Sequence, residues 1–387
     1  MPGDKPLWVI FFLLSVISLI SVYTTVGLSA ISEHGTSPTF EFLKHLGFVC
    51  LSYVTVYVAA RMNYRWFSIL SMVLLVISFG LLIYVYITGG ERWVRVCGLG
   101  FQPSELAKVS VIIWLASKIA KLHDEVNLAN FFRLLIVPAI VCISIVGANF
   151  STAVLIGISC FVMMFFGGVN DKLWYKFCPI VLLLGVILLA AFYYFGGDAD
   201  VARTSTWQHR LQSWVNPNPD EISQENMARM AVARGGFTGV GIGNTIHGRL
   251  MTEAHNDFIY AIIIEETGML GAFVVFALYA VFYFRCIRIA SRCKGAFGAL
   301  SVAGLGTMIF LQALSNMCVA VGAMPVTGQT LPFISYGGSA YLFLGFGLGV
   351  IQAVAHDNNK KALEMQKAAE TSTMEQTELN NQNIETI

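Results

Sequence analysis

Apolar residues along this chain come in long unbroken runs, not in the alternation of a half-buried strand or the narrow stripe of a soluble helix. A bilayer-spanning helix needs about 20 predominantly apolar residues. Runs that meet this requirement lie at about 7–30, 42–60, 67–88, 103–122, 131–147, 150–168, 173–196, 256–284, 297–322 and 340–356. They predict an all-α integral membrane protein with about ten transmembrane helices. The fifth and sixth runs are short and nearly continuous. The first ends in Leu28-Ser29-Ala30, which has the look of a leader cleavage site, but its apolar region is too long for one, so it is read as a retained helix. Between the seventh and eighth runs lies one large polar loop, about 197–255. From Asp357 on the chain is rich in Asn, Gln, Glu and Lys and nearly free of aromatics, so 357–387 is expected to be a disordered, at most loosely helical, tail. The organisation is therefore one membrane domain, 1–356, plus that tail.

Composition agrees. Of 387 residues 56% are hydrophobic and 12% charged, against about 25% charged in soluble domains. A net charge of +1 gives no field to attract nucleic acid. The eight cysteines fall in or beside apolar runs without paired spacing, so they read as small hydrophobes.

The sign of the loops sets orientation, because Lys and Arg collect on the cytoplasmic side. With both termini inside, the inner segments hold Lys5, Arg61, Arg65, Lys118, Lys121, Lys172, Lys176, Arg285, Arg288, Arg292, Lys294, Lys360, Lys361 and Lys367. Two outer stretches break the rule: 89–105, with Arg92 and Arg95, and the large loop, with Arg203, Arg210, Arg229, Arg234 and Arg249. Binding an anion on the outer face would account for them.

Four stretches carry candidate chemistry. Thr252-Glu253-Ala254-His255-Asn256-Asp257-Phe258 runs into an apolar span, which puts Asp257 at the outer mouth of a helix. There Glu253 and Asp257 serve either as acids complementing the positive helix end or as a catalytic carboxylate. Glu265 and Glu266 lie two turns deeper, where ionisable groups are costly; they are functional or a structural pair. Gly89-Gly90-Glu91-Arg92-Trp93 precedes Phe101-Gln102-Pro103-Ser104-Glu105-Leu106-Ala107-Lys108. Pro103 suits a first helical position, and Glu105 can pair with Lys108 one turn on. Gly239-Val240-Gly241-Ile242-Gly243-Asn244 lacks the strand–turn–helix context of a nucleotide-binding loop and also suits a tight re-entrant turn. Finally, Pro325-Val326-Thr327-Gly328-Gln329-Thr330-Leu331-Pro332-Phe333-Ile334-Ser335-Tyr336-Gly337-Gly338-Ser339 cannot form a regular spanning helix. Irregular backbone at the membrane edge must be buried in protein or line a cavity.

Taken in chain order on a ten-span chain, these stretches resemble the FtsW/RodA (SEDS) family over about residues 7–356, and the Glu-Ala-His and Gly-Val-Gly-Ile-Gly-Asn motifs look more like the division-type FtsW branch. Two positions depart from the family pattern. Ala148-Asn149-Phe150-Ser151-Thr152 stands where a Pro-Asp-Leu-Gly-Thr turn is common, so no acid role carries over there. Ser339-Ala340 stands where a second Ser or Thr is common.

The resemblance implies a peptidoglycan glycosyltransferase that polymerises lipid II and releases undecaprenyl pyrophosphate, acting at the division septum of a bacterial inner membrane. It implies Asp257 as the catalytic carboxylate. It implies substrate contacts from Arg92, Trp93, Gln102, Ser104, Glu105, Lys108, Arg210, Glu253, His255, Ser335, Gly337 and Gly338, and no metal ligand. No cofactor is assigned, and a divalent cation is left open. The partners implied are a class B penicillin-binding transpeptidase, other divisome proteins and membrane lipids. Two competing readings use the same features: a lipid II flippase, which needs no base at the outer surface, and a scaffold that activates a transpeptidase without chemistry.

Overall fold

The structure is a computed structural model and describes residues 1–33, 37–88, 94–96, 99–122, 128–146, 149–168, 210–216, 223–251 and 255–385, some of them near segment ends as backbone only. Every predicted span except 173–196, which lies outside the described residues, coincides with a helix. These are α1 (Lys5–Glu33), α2 (Pro38–Arg61), α3 (Trp66–Ile87), α4 (Pro103–Lys121), α5 (Leu128–Val146) and α6 (Phe150–Phe166) in the first half. After the short α7 (Gln224–Gly235) and α8 (His247–Leu250) come α9 (Ile259–Ser291), α10 (Ala296–Ala320) and α11 (Gly338–Glu385). Among the described residues six helices are long and apolar enough to cross a membrane, and α5 and α6 are shorter apolar helices; the protein is a multi-pass membrane protein. The large-loop portion that is described carries α7 and α8.

Proline and Asn chemistry fixes two of the starts. Pro103 opens α4, where its missing N–H would have no partner anyway. Asn149 caps α6 by accepting from the Thr152 N–H at 3.2 Å. One feature is additional to the expected all-α plan: β1 (Val94–Val96) and β2 (Leu99–Phe101) form a small antiparallel ribbon, with Val94 opposite Phe101, that leads into α4.

Helix α4 is the axis of the bundle. Almost every residue from Pro103 to Ile119 is buried, and it packs against α3, α5, α6, α10 and α11. It can therefore hold the charges of Glu105 and Lys108, because it meets protein rather than lipid. The α2–α11 contact is close because small residues face one another: a Cβ on Gly349 would stand 2.5 Å from Ala59 Cβ.

Helix α11 continues through Glu385 instead of ending near residue 357. The stretch after Asp357 has neither Gly nor Pro to stop a helix, and Lys361 pairs with Asp357 at 2.6 Å, one turn apart.

Candidate functional site

The irregular stretch between α10 and α11 is the hub of the molecule. In the membrane, backbone groups outside a helix need partners within the protein, and here side chains from four helices supply them. Asn316 Nδ2 (α10) donates to the Gln329 carbonyl at 2.7 Å, and Gln312 Nε2 (α10) to that of Thr330 at 3.0 Å. Tyr279 (α9) donates to the Pro332 carbonyl, Tyr341 (α11) to that of Phe333 at 2.7 Å, and Ser18 (α1) to that of Ile334 at 2.7 Å. Phe333 has φ +60°, a left-handed conformation rare for a bulky residue. It is held there by those flanking bonds and by its ring against Phe11 at 5.1 Å.

The turn carrying Asp257 is fastened to this hub through its own backbone. Tyr336 N–H donates to the His255 carbonyl at 2.9 Å, Ser335 Oγ to that of Asn256 at 2.6 Å, and Asn316 Nδ2 to that of Asp257 at 2.8 Å. Asp257 is partly exposed and lies two residues before the first residue of α9, whose first turn holds no acid. This position argues against a purely helix-capping carboxylate.

Several other expected site residues meet the same hub. Gln102 N–H donates to Ser339 Oγ at 3.2 Å, and Arg210 Nη1 to the Val326 carbonyl at 3.4 Å. Lys108 is fully buried and pairs with Glu105 at 2.7 Å and with Gln312 Oε1 at 2.9 Å. Its charge therefore reaches the hub through Gln312 and Thr330. Ser104 is buried in the first turn of α4. Ser335 is committed to the backbone, since it also accepts from the Leu331 N–H at 2.7 Å. Gly337 opens the path into α11, and Gly338 lies where a Cβ would come within 2.5 Å of the Phe48 ring. Arg92, Trp93 and Glu253 lie outside the described residues. Among the described residues no group of three or more His, Cys, Asp or Glu is placed to hold a metal ion.

Glu265 and Glu266 have a structural task. Glu265 accepts from Arg234 at 2.7 Å, from Thr245 at 2.5 Å, from the Ile246 N–H at 3.2 Å, and bonds His247 Nδ1 at 2.9 Å. Glu266 accepts from the Gly243 N–H at 3.1 Å. Together they bind down the glycine loop, whose Val240 and Gly241 N–H groups also donate to the Glu265 and Glu266 carbonyls at 3.0 and 2.9 Å. The loop fits because α9 breaks at Gly268 (φ +71°) and because Gly239 (φ +78°) would place a Cβ 2.3 Å from the Glu266 carbonyl oxygen. Gly239→Ala is expected to lower the thermal midpoint in detergent clearly more than Gly243→Ala. Gly243 has open space around its Cβ position and incurs only the left-handed penalty of about 1–2 kcal/mol. Equal midpoints for the two variants would mean that the loop does not press on α9.

Sequence reading missed Asn149, Thr152, Gln312, Asn316 and Gln329. Gln329 Nε2 donates to Thr152 Oγ1 at 2.7 Å and approaches Asn149 Oδ1 at 3.4 Å, which ties the start of α6 to the hub. For Gln312 and Asn316 the signal was present: an amide side chain inside an apolar run needs a partner.

Compared with known proteins, residues 4–360 match the model of the FtsW/RodA/SpoVE family, described as cell cycle proteins. A relative from Coxiella burnetii, named "Probable peptidoglycan glycosyltransferase FtsW", is 30% identical over 370 residues, covering 90% of this chain and 96% of its own. Among solved structures, a chain described under "Structural coordination of polymerization and crosslinking by a peptidoglycan synthase complex" superposes with a TM-score of 0.70 at 23% identity, covering 92% of this chain and 98% of that one. The rod shape determining protein RodA of Thermus thermophilus superposes with a TM-score of 0.61 at 21% identity, covering 92% and 97%. Both share this fold.

Proposed function

The chain belongs to the FtsW/RodA/SpoVE family, and from that membership and the site geometry we propose that it is a peptidoglycan glycosyltransferase that polymerises lipid II into glycan strands. The observation that carries the chemistry is the Asp257 turn, whose three carbonyls are held by the Tyr336 N–H, Ser335 Oγ and Asn316 Nδ2 while Asp257 itself is half-buried at the mouth of α9. A sugar hydroxyl is a poor nucleophile, and a positioned carboxylate removes its proton as the glycosidic bond forms. The departing undecaprenyl pyrophosphate needs positive charge. Arg210, whose Nη1 donates to the Val326 carbonyl beside the hub, is the cation this reading assigns to it, and a divalent cation would serve the same end. Basic residues favour cytoplasmic termini, which sets Asp257 at the outer face where the sugars lie.

The partner in this reading is a class B penicillin-binding transpeptidase. The chain of similar fold whose description couples polymerization to crosslinking supports that choice, and the family's description as cell cycle proteins is consistent with work at the division septum. The test is purified protein incubated with lipid II, products resolved on a gel, with vesicle-based lipid II translocation measured on the same preparation. Glycan ladders that vanish in Asp257→Asn are expected. Translocation without ladders would assign the protein to transport.

A further inference from the structure

Tyr336 joins the Asp257 turn to a group of side chains on α1 and α2 that the reading above leaves without a task. Its N–H holds the His255 carbonyl, and its ring meets the His255 ring edge-on, with centroids 5.4 Å apart. Its hydroxyl donates to Glu41 in the first turn of α2. Burial, and then this bond to Glu41, hold that hydroxyl protonated far above the ordinary phenol range. One turn further along α2, His45 packs its ring against Tyr336 at 5.3 Å. His45 is fully buried, and its Nε2 is 2.8 Å from Ser18 Oγ. Because the Ser18 hydroxyl already donates to the Ile334 carbonyl, His45 Nε2 is the donor in that bond. The stack therefore has a fixed base, formed by α1 and α2, and a working end at His255, two residues from Asp257.

The three carbonyls of the Asp257 turn are not anchored alike. Ser335 and Asn316, which hold two of them, are buried. The third anchor, Tyr336, is itself held by Glu41, whose side chain is 18% exposed and has Lys44 Nζ at 3.5 Å. A hydrogen bond to a charged group is worth roughly twice a neutral one, so Glu41 is a strong anchor for the Tyr336 ring. Removing it frees the ring that packs on His255.

We propose that Glu41 is a positioning residue for the reaction: acting through Tyr336, it fixes the His255–Asp257 turn and so places the Asp257 carboxylate against the sugar hydroxyl. This rests on the reading of Asp257 as the base. Misplacing a reacting group by about 1 Å costs on the order of 10²-fold in rate, and a loosened turn is a smaller error than that.

The test uses the purified full chain with lipid II and compares Glu41→Ala, Glu41→Gln, Tyr336→Phe, the double variant Glu41→Ala/Tyr336→Phe, and Asp257→Asn. Glu41→Ala and Tyr336→Phe should each lower kcat by roughly tenfold, within the ceiling set by misplacement, with KM for lipid II nearly unchanged. Glu41→Gln, whose amide oxygen still accepts from the tyrosine, should recover most of the lost kcat. The double variant should be no worse than either single one, because the two residues act as a unit. Tyr336→Phe keeps the ring and the backbone bond, so it remains informative if Glu41→Ala does not fold. Unchanged kcat in Tyr336→Phe, multiplicative losses in the double variant, or no recovery with Glu41→Gln would each overturn the proposal. An active Asp257→Asn beside an impaired Glu41→Ala would overturn the base assignment and this role together. An inactive Asp257→Asn beside a fully active Glu41→Ala would overturn this role alone.

Discussion

Asp257→Asn is expected to cut glycan polymerisation by about 10²–10⁴-fold, the usual worth of a positioned general base, while the thermal midpoint stays close to that of the parent. The structure separates these two effects. The turn is held through the carbonyls of His255, Asn256 and Asp257, and none of those bonds uses the Asp257 carboxylate. An Asn side chain has nearly the same shape, so the turn should keep its place while losing its base. A carboxylate that only complements the α9 helix end predicts the reverse pattern: a loss of about 0.3–1 kcal/mol in stability and near-normal polymer. Polymer yield and thermal midpoint measured on the same preparation decide between them. Near-normal ladders from the Asn variant would remove Asp257 from the chemistry and make Glu253 the next carboxylate to test.

The span plan was legible in the sequence because a bilayer imposes a length and a polarity on each crossing. Pro103 even marked the start of α4 to the residue. What the sequence signalled without resolving was each polar exception inside a span. Glu265 and Glu266 stood out as costly, but their partners, the glycine-loop amides with Arg234, Thr245 and His247, lie about 20 to 30 residues away and meet them only after α9 breaks at Gly268. The prolines and glycines of 325–339 announced irregular backbone. They could not announce that Tyr279, Tyr341 and Ser18 would satisfy its carbonyls, since those donors sit among ordinary apolar helix residues. The left-handed Phe333 was illegible for the same reason, because tertiary bonds, not local propensity, hold it. Low hydrophobicity past Asp357 argues against a packed core but not against one helix continuing past the membrane, as α11 does.

Lys108→Ala is expected to be the most destabilising single change in the core. It leaves Glu105 buried beside a lost partner, and breaking a buried ion pair from one side typically costs about 3–5 kcal/mol. The damage extends beyond the pair. Lys108 Nζ also donates to Gln312 Oε1, and Gln312 Nε2 in turn donates to the Thr330 carbonyl, so the bond that sets one end of the hub loses its orientation. Glu105→Gln/Lys108→Met removes both charges and keeps the volume. Removing both charges avoids the cost of leaving one buried and unpaired, so this variant should regain much of the lost thermal midpoint even though the bond to Gln312 stays lost, and polymer yield should rise with it. That recovery is the signature of a charge that acts by holding structure, as its complete burial implies. The contrary outcome is equally readable: a double variant with the parent's midpoint and no glycan product would place the Lys108 charge in direct service of the pyrophosphate, with the central helix carrying chemistry as well as the fold.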